Sequence, residues 1–258
     1  MTNGNHEALH YSASGDGSVQ CRLCPHNCLI NEGKTGICRT RENSGGKLML
    51  LNYGRYTSAA VDPIEKKPLY HFHPGKEILS IGGLGCNLSC GFCQNWQISH
   101  GNVPTRTATP ESIADQAAVH APANIGVAFT YNEPLIWFEF IMDCAPLLRE
   151  RGLKVVLVSN GFINPAPFAE LAPHIDAMNI DLKSSDDSFY KKSCGGAVAP
   201  VMATIEKAVE AGIWIEVTQL IVTGLNDTDG QFARTASWLA SVSKDIPLHL
   251  SRYFPNYK

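Results

Sequence analysis

Nine cysteines stand in this 258-residue chain, and seven of them fall into two tight groups. The first is Cys86, Cys90 and Cys93 in GCNLSCGFC, a CxxxCxxC spacing. Three thiolates at that spacing bind three irons of a [4Fe–4S] cubane and leave the fourth iron open to an outside ligand. S-adenosylmethionine (SAM) can fill that position through its amino and carboxylate groups. An electron can then break its sulfonium C–S bond, giving methionine and a 5′-deoxyadenosyl radical. A zinc knuckle usually needs four ligands, and His100, seven residues beyond Cys93, lies outside finger spacing. Gly85 and Gly91 beside the thiols indicate a tight loop rather than cysteines scattered in a core.

The second group is Cys21, Cys24, Cys28 and Cys38, in CRLCPHNCLINEGKTGIC. Four thiolates make a closed shell, which suits structural zinc or an auxiliary iron–sulfur cluster equally. A small segment with few core residues would then gain its fold from the metal. Reduced, unliganded thiols are the plain alternative. His26 falls inside this group and reads as flanking it. Cys144 reads as core, Cys194 as a turn residue, and His71 and His73 as residues flanking a strand.

These groups need a scaffold, and the rest of the chain reads as alternating strands and helices. Residues 78–81, 125–130, 154–159, 177–182, 213–222 and 247–253 are strand-like, the third (KVVLVS) β-branched and continuous, as a strand buried on both faces should be. Thr109-Pro110-Glu111 starts a helix. Further helices read over about 134–151, 165–171, 201–209 and 228–242. Such alternation argues for a parallel sheet, wound open or as a barrel. Polar groups then fall where strands end: Thr130 to Pro134 (TYNEP), Ser159-Asn160-Gly161, Asp181-Leu182-Lys183, and 223–227 (TGLND). Barrel enzymes keep their chemistry at those ends.

On these residues the chain resembles a known family. GCNLSCGFCQNWQIS is similar to the signature of radical SAM enzymes, most closely those like pyruvate formate-lyase activating enzymes. The N-terminal cysteine segment and KPLYHFHPGKEILSIGG together resemble the radical SAM member of the AmmeMemoRadiSam group. The resemblance implies an α/β fold, a partial (β/α)6 TIM-type barrel with a small N-terminal cysteine-rich metal-binding extension, and SAM across the strand ends. It places Thr130, Asn132 and Glu133 where relatives carry a glycine-glycine-glutamate motif near the SAM ammonium. Here Tyr131 and Asn132 replace the glycines. Ser159 and Asn160 match a threonine-asparagine-glycine turn, although Val158 replaces an acid expected before it. Asp181 and Lys183 match an aspartate-leucine-lysine motif serving ribose and carboxylate. No catalytic side chain is expected beyond the cluster and SAM. Related proteins continue past the point where this chain ends, so either the chain is trimmed or another covers that edge.

Composition narrows the classes. A net charge of −3 asks for neither nucleic acid nor an anionic membrane. The polar N-terminus has no signal-like core, and no apolar run is long enough to span a bilayer, so a cytoplasmic location is expected. Residues 1–20 read as a disordered or weakly ordered tail, 21–75 as the four-cysteine extension and linker, and 76–258 as the barrel. The expected function is a radical SAM enzyme acting on a small molecule or a protein, with an external electron donor of flavodoxin or ferredoxin type. The alternatives are an activase that installs a glycyl radical on a partner enzyme, and a non-catalytic Fe–S or zinc module.

Overall fold

The computed structural model describes residues 6–255. Strands β1 (Tyr11–Ala13), β2 (Val19–Cys21) and β3 (Leu29–Ile30) form a small antiparallel sheet, and β4 (Arg41–Ser44) pairs with β5 (Lys47–Leu50). Residues 11–13 and 19–20, in the segment expected to be a disordered or weakly ordered tail, are therefore paired. Residues 1–5 of that segment lie outside the described residues. β6 (Arg55–Tyr56) leads into β7 (Ser58–Pro63) and β8 (Glu77–Gly82). After a short helix, α1 (Trp96–His100), β9 (Arg106–Thr107) returns to pair with β6. The alternation then runs α2 (Pro110–Val119), β10 (Asn124–Phe129), α3 (Phe138–Glu150), β11 (Lys154–Ser159), α4 (Pro165–Leu171) and β12 (Ala177–Asp181). It ends with α5 (Asp187–Phe189), a π-turn at Tyr190–Cys194, α6 (Val198–Glu210), β13 (Trp214–Ile221), α7 (Asp229–Val242) and β14 (Leu248–Arg252).

The main sheet has seven strands in the order β14-β13-β12-β11-β10-β8-β7. From β8 to β14 neighbours pair in parallel and in chain order, whereas β7 lies antiparallel on the free side of β8. The result is a mixed sheet of partial-barrel character. Thr109 caps α2 and Thr228 caps α7, each in a reciprocal capping box with the residue three positions on. Helix α3 begins later than the pattern implies, because Pro134–Trp137 forms a 3-10 turn whose cap is the Glu133 side chain.

Side chains alternate across a strand, and here the alternation divides the apolar residues between two cores. Leu79, Val127, Phe129, Val155, Leu157, Met178 and Ile180 join the core with Ile141, Leu148 and Ile205 of the helices. Ile78, Ala128, Val156 and Ala177 face the other way, onto Ile64, Leu69 and Phe72. The segment between β7 and β8, a linker by sequence, therefore covers one face of the sheet. Glu216 of β13 fastens it. That fully buried carboxylate accepts from the backbone N–H groups of Tyr70 (3.0 Å) and His71 (2.9 Å), from Trp214 Nε1 (3.1 Å), and bonds His249 Nε2 at 2.6 Å.

Candidate functional site

The loop after β8 carries the three cysteines, and its course depends on close backbone approach. Gly85 has φ +85°, and a Cβ there would sit 2.6 Å from the Cys38 carbonyl oxygen and 2.6 Å from Thr40 Cγ2. Only glycine fits that left-handed conformation and that contact without strain. Further on, the Ser89 N–H donates to the Cys194 carbonyl (2.8 Å) and the Gly91 N–H to the Ser193 carbonyl (3.0 Å), docking the loop on the π-turn. Asn87 donates to the Phe162 carbonyl (2.7 Å) and accepts from Asn160 Nδ2 (2.9 Å).

A cleft of about 340 Å³ opens between this loop and the C-terminal ends of the strands. Cys86, Cys90 and Cys93 line it, and so do Thr130, Asn132, Glu133, Ser159, Asn160, Asp181 and Lys183. Ten expected residues, from the ends of four strands, thus line one cleft. Cys21, Cys24, Cys28 and Cys38 are not among its lining residues.

Glu133 is the best-held acid of the cleft. Its Oε1 accepts from the Leu135 N–H (2.9 Å) and Ser159 Oγ (2.8 Å), and its Oε2 from the Asn160 N–H (2.8 Å). Burial nevertheless pushes its pKa up to about 7, with Asp181 adding to the rise against those donors. Lys183 Nζ lies 3.1 Å from Asp181 Oδ2. Burial alone would lower that lysine, but Asp181, Cys90, Cys194 and Tyr190 outweigh it and hold the amine protonated. The Asp181 side chain is 40 % exposed, so it faces the cleft with accepting capacity to spare.

Tyr131 departs from the glycine found in resembling motifs, and it adopts φ +70°, a conformation costly for a side-chain-bearing residue. Asn95 Nδ2 donates to its carbonyl at 2.6 Å, and its ring closes against Gly82. Its hydroxyl donates to Asp62 Oδ2 (2.8 Å), which also accepts from Lys67 Nζ (3.0 Å), while Lys66 Nζ donates to Asp62 Oδ1 (3.1 Å). Lys66, Lys67, Tyr131 and Asn95 all line the cleft. Sequence reading passed over this cluster because the antiparallel edge strand β7, which brings Asp62 beside β8, left no period-2 signal in DPIEKKP. An Asp four residues before a Lys was the available clue.

The metal expectations need correction. Among the described residues, no group of three or more His, Cys, Asp or Glu side chains is arranged to hold a metal ion. This overturns both the [4Fe–4S] assignment to Cys86, Cys90 and Cys93 and the zinc or auxiliary-cluster assignment to Cys21, Cys24, Cys28 and Cys38. It likewise removes the metal-binding extension from the fold description. In the cleft loop the thiols have separate partners. Cys86 Sγ accepts from the Leu88 N–H (3.4 Å) and Asn160 Nδ2 (3.7 Å), and Cys93 donates to Ser99 Oγ (3.9 Å). Cys90 takes a hydrogen bond from the Cys194 thiol, which lowers its own pKa and raises that of Cys194. The N-terminal segment is held by ordinary packing: Ala8, Val19, Cys21, Leu23, Ile30, Leu48 and Leu50 share the core of the helix side. A buried ion pair of Arg41 Nη2 with Glu139 Oε2 (2.6 Å) ties it to α3, and Asn43 bonds the Ile30 carbonyl (2.9 Å).

Comparison with known proteins agrees with this arrangement. The family model described as the radical SAM superfamily matches residues 80–239. An uncharacterized protein of Methanocaldococcus jannaschii is 41% identical over 257 residues, covering 98% of this chain and 75% of that protein. A pyruvate formate-lyase-activating enzyme of Clostridium pasteurianum is 23% identical over 172 residues, covering 66% of this chain and 72% of the enzyme. Among solved structures, Streptococcus suis SuiB bound to S-adenosylmethionine superposes with a TM-score of 0.52 at 16% identity, over 66% of this chain. The chain spans only 39% of SuiB, which has also been solved with its precursor peptide SuiA. Among the described residues no helix is long and apolar enough to cross a membrane. With the matched span running from β8 into α7 and taking in the cysteine loop and the strand-end residues of the cleft, the chain belongs to the radical SAM superfamily and is an enzyme of its SAM-cleaving radical chemistry.

Proposed function

We propose that the cleft binds SAM at the ends of β10, β11 and β12, next to the cysteine loop, and that a substrate occupies the remainder. The observation that carries this reading is the pairing of one buried acid, Glu133, with a half-buried acid and a partly buried cation, Asp181 and Lys183, in a single cleft. A ligand with an ammonium, a carboxylate and a ribose asks for those three kinds of partner. The cleft volume suits a ligand of that size.

Glu133 receives the methionyl ammonium, with Thr130 and Asn132 beside it. Ser159 and Asn160 act through Glu133, since their donors fix both of its oxygens before any ligand arrives. Lys183 attracts the methionyl carboxylate, and Asp181 accepts from the ribose hydroxyls. Phe92 and Leu88 on the loop supply apolar surface that excludes water from the reacting carbon. Bound SAM supplies, on accepting one electron, methionine and a 5′-deoxyadenosyl radical that takes a hydrogen atom from a substrate C–H bond. The electron comes from an external flavodoxin- or ferredoxin-type donor.

The substrate is a small molecule or a segment of a protein. The SuiB–SuiA complex supports the protein version by analogy, and the similarity to activating enzymes supports a glycyl-radical version of it. Equilibrium dialysis with labelled SAM tests the binding assignment. Lys183→Met and Glu133→Gln should each weaken SAM at least tenfold, as expected for a charge-assisted contact worth about 1.5–3 kcal/mol. Unchanged affinity in both would remove SAM from this end of the cleft.

A further inference from the structure

Charge beside Tyr131 in the same cleft has no assigned use. Lys66 and Lys67 meet there over a single carboxylate, Asp62, so two cations face one anion. Apart from those two lysines, the ionisable group in contact with Asp62 is the Tyr131 phenol, which burial and Asp62 keep protonated, with its pKa pushed up to about 12. Two ammoniums over one carboxylate leave a local excess of positive charge, although burial lowers the Lys67 pKa against the pull of Asp62. Burying an ammonium without full compensation is expensive, yet the Lys67 side chain is only 2 % exposed.

The geometry fixes that ammonium. Asp62 Oδ2 takes one of its N–H bonds at 3.0 Å, and the Tyr131 ring lies under it at 4.6 Å from Nζ to the ring centroid. An ammonium has three donors, so a third is left for a ligand. Tyr131 is itself locked: its hydroxyl is held by Asp62, its carbonyl by Asn95, and its backbone in the left-handed region. Lys66, whose side chain is 67 % exposed, stands at the rim with its amine on Asp62 Oδ1 at 3.1 Å. One buried cation and one exposed cation over a shared carboxylate form a pre-organised anion seat.

We infer that Lys67, supported by Lys66 and oriented by Asp62 and Tyr131, binds an oxyanion group of the substrate, a carboxylate or a phosphate. This rests on the reading that Glu133, Asp181 and Lys183 hold SAM, which leaves Lys66 and Lys67 to the substrate. A lysine recognises such a group as a point charge and so accepts either geometry.

The test uses the full chain saturated with SAM, at constant ionic strength, titrated in separate arms with inorganic phosphate and with succinate and followed by thermal unfolding. At tenfold excess over Kd, ligand binding to the native state should raise the midpoint by roughly 2–6 °C. Lys67→Met should abolish the shift, and Lys67→Arg should retain it. Lys66→Met, a rim change that leaves the fold intact, should weaken the apparent affinity several-fold. A shift with phosphate alone assigns a phosphorylated substrate, with succinate alone a carboxylate, and with both the shared charge. An equal shift in wild type and Lys67→Met, no shift in wild type, or displacement of the anion by SAM would each overturn the inference. Labelled-SAM binding measured on the same samples separates the two readings: bound SAM without an anion shift refutes only this seat. An anion shift without SAM binding refutes only the SAM assignment.

Discussion

Gly85→Ala should damage this protein far more than an ordinary glycine substitution. Two costs add. A side-chain-bearing residue at φ +85° pays roughly 1–2 kcal/mol for the left-handed backbone. The new Cβ would also lie 2.6 Å from the Cys38 carbonyl oxygen, 2.6 Å from Thr40 Cγ2 and 3.1 Å from Ile136 Cδ1, and overpacking of that kind costs about 1–3 kcal/mol. The first contact is backbone, so it cannot be relieved by a side-chain rotation. Together these give a loss of about 2–5 kcal/mol. Gly75→Ala is the control: φ there is +78°, but nothing lies within 4 Å of a Cβ, so only the backbone cost of about 1–2 kcal/mol applies. Urea unfolding of the three proteins gives the two differences directly. Because the Gly85 carbonyl accepts from Asn132 Nδ2 at 2.9 Å, the displaced loop should also weaken SAM binding in Gly85→Ala and not in Gly75→Ala. Equal destabilisation by the two substitutions would refute the account of how the N-terminal segment braces the cysteine loop.

Glu133 makes a prediction about pH. Its folded pKa of about 7 lies above its ordinary value of 4.5, so its stabilising contribution is complete below about pH 4.5 and is lost as pH rises through 7. That difference corresponds to about 3 kcal/mol, and Glu133→Gln should flatten the stability profile across this window in urea titrations. SAM affinity should move the opposite way, strengthening as pH rises toward 7 and the carboxylate ionises, by at most tenfold per pH unit. A SAM affinity independent of pH between about 5.5 and about 7.5 in wild type (from about one and a half units below the shifted value to about half a unit above it) contradicts the ammonium assignment. Glu216→Gln leaves two of four donors facing an amide NH2 and should cost about 2–4 kcal/mol. Although burial opposes it, those donors hold the Glu216 pKa below its ordinary value, so the wild-type advantage should disappear as pH falls through the carboxylate range. Hydrogen exchange at residues 64–76 should quicken in the same variant. Unchanged exchange would show that Glu216 does not fasten this segment.

The strands of the parallel sheet were legible because each is a short apolar run bounded by turn residues. KVVLVS at Lys154–Ser159 has no polar side until its end, and both of its faces are buried. The strand-end residues from Thr130 to Lys183 were legible for the same reason, since topology alone sends those ends to one cleft. The cover over the second face was not. Residues 64–76 carry no period, and their role depends on Glu216, about 145 positions later in the chain. The Asp62, Lys67 and Tyr131 cluster escaped likewise, as its members meet only through the β7–β8 pairing. Cysteine spacing misled in a different way. Spacing reports which thiols can approach one another along a chain, but not whether they take up the arrangement a metal needs. In this fold, Cys21 and Cys38 are buried, while Cys86 accepts from Asn160, Cys93 donates to Ser99 and Cys90 takes a hydrogen bond from Cys194.

The most direct test of the central claim is anaerobic incubation of the protein with SAM and a strong one-electron reductant, with methionine and 5′-deoxyadenosine quantified together. Radical SAM chemistry predicts both products in equal amounts, with strong loss in Lys183→Met and Asp181→Asn. Methionine without 5′-deoxyadenosine, or neither product from protein shown to bind SAM, would contradict it.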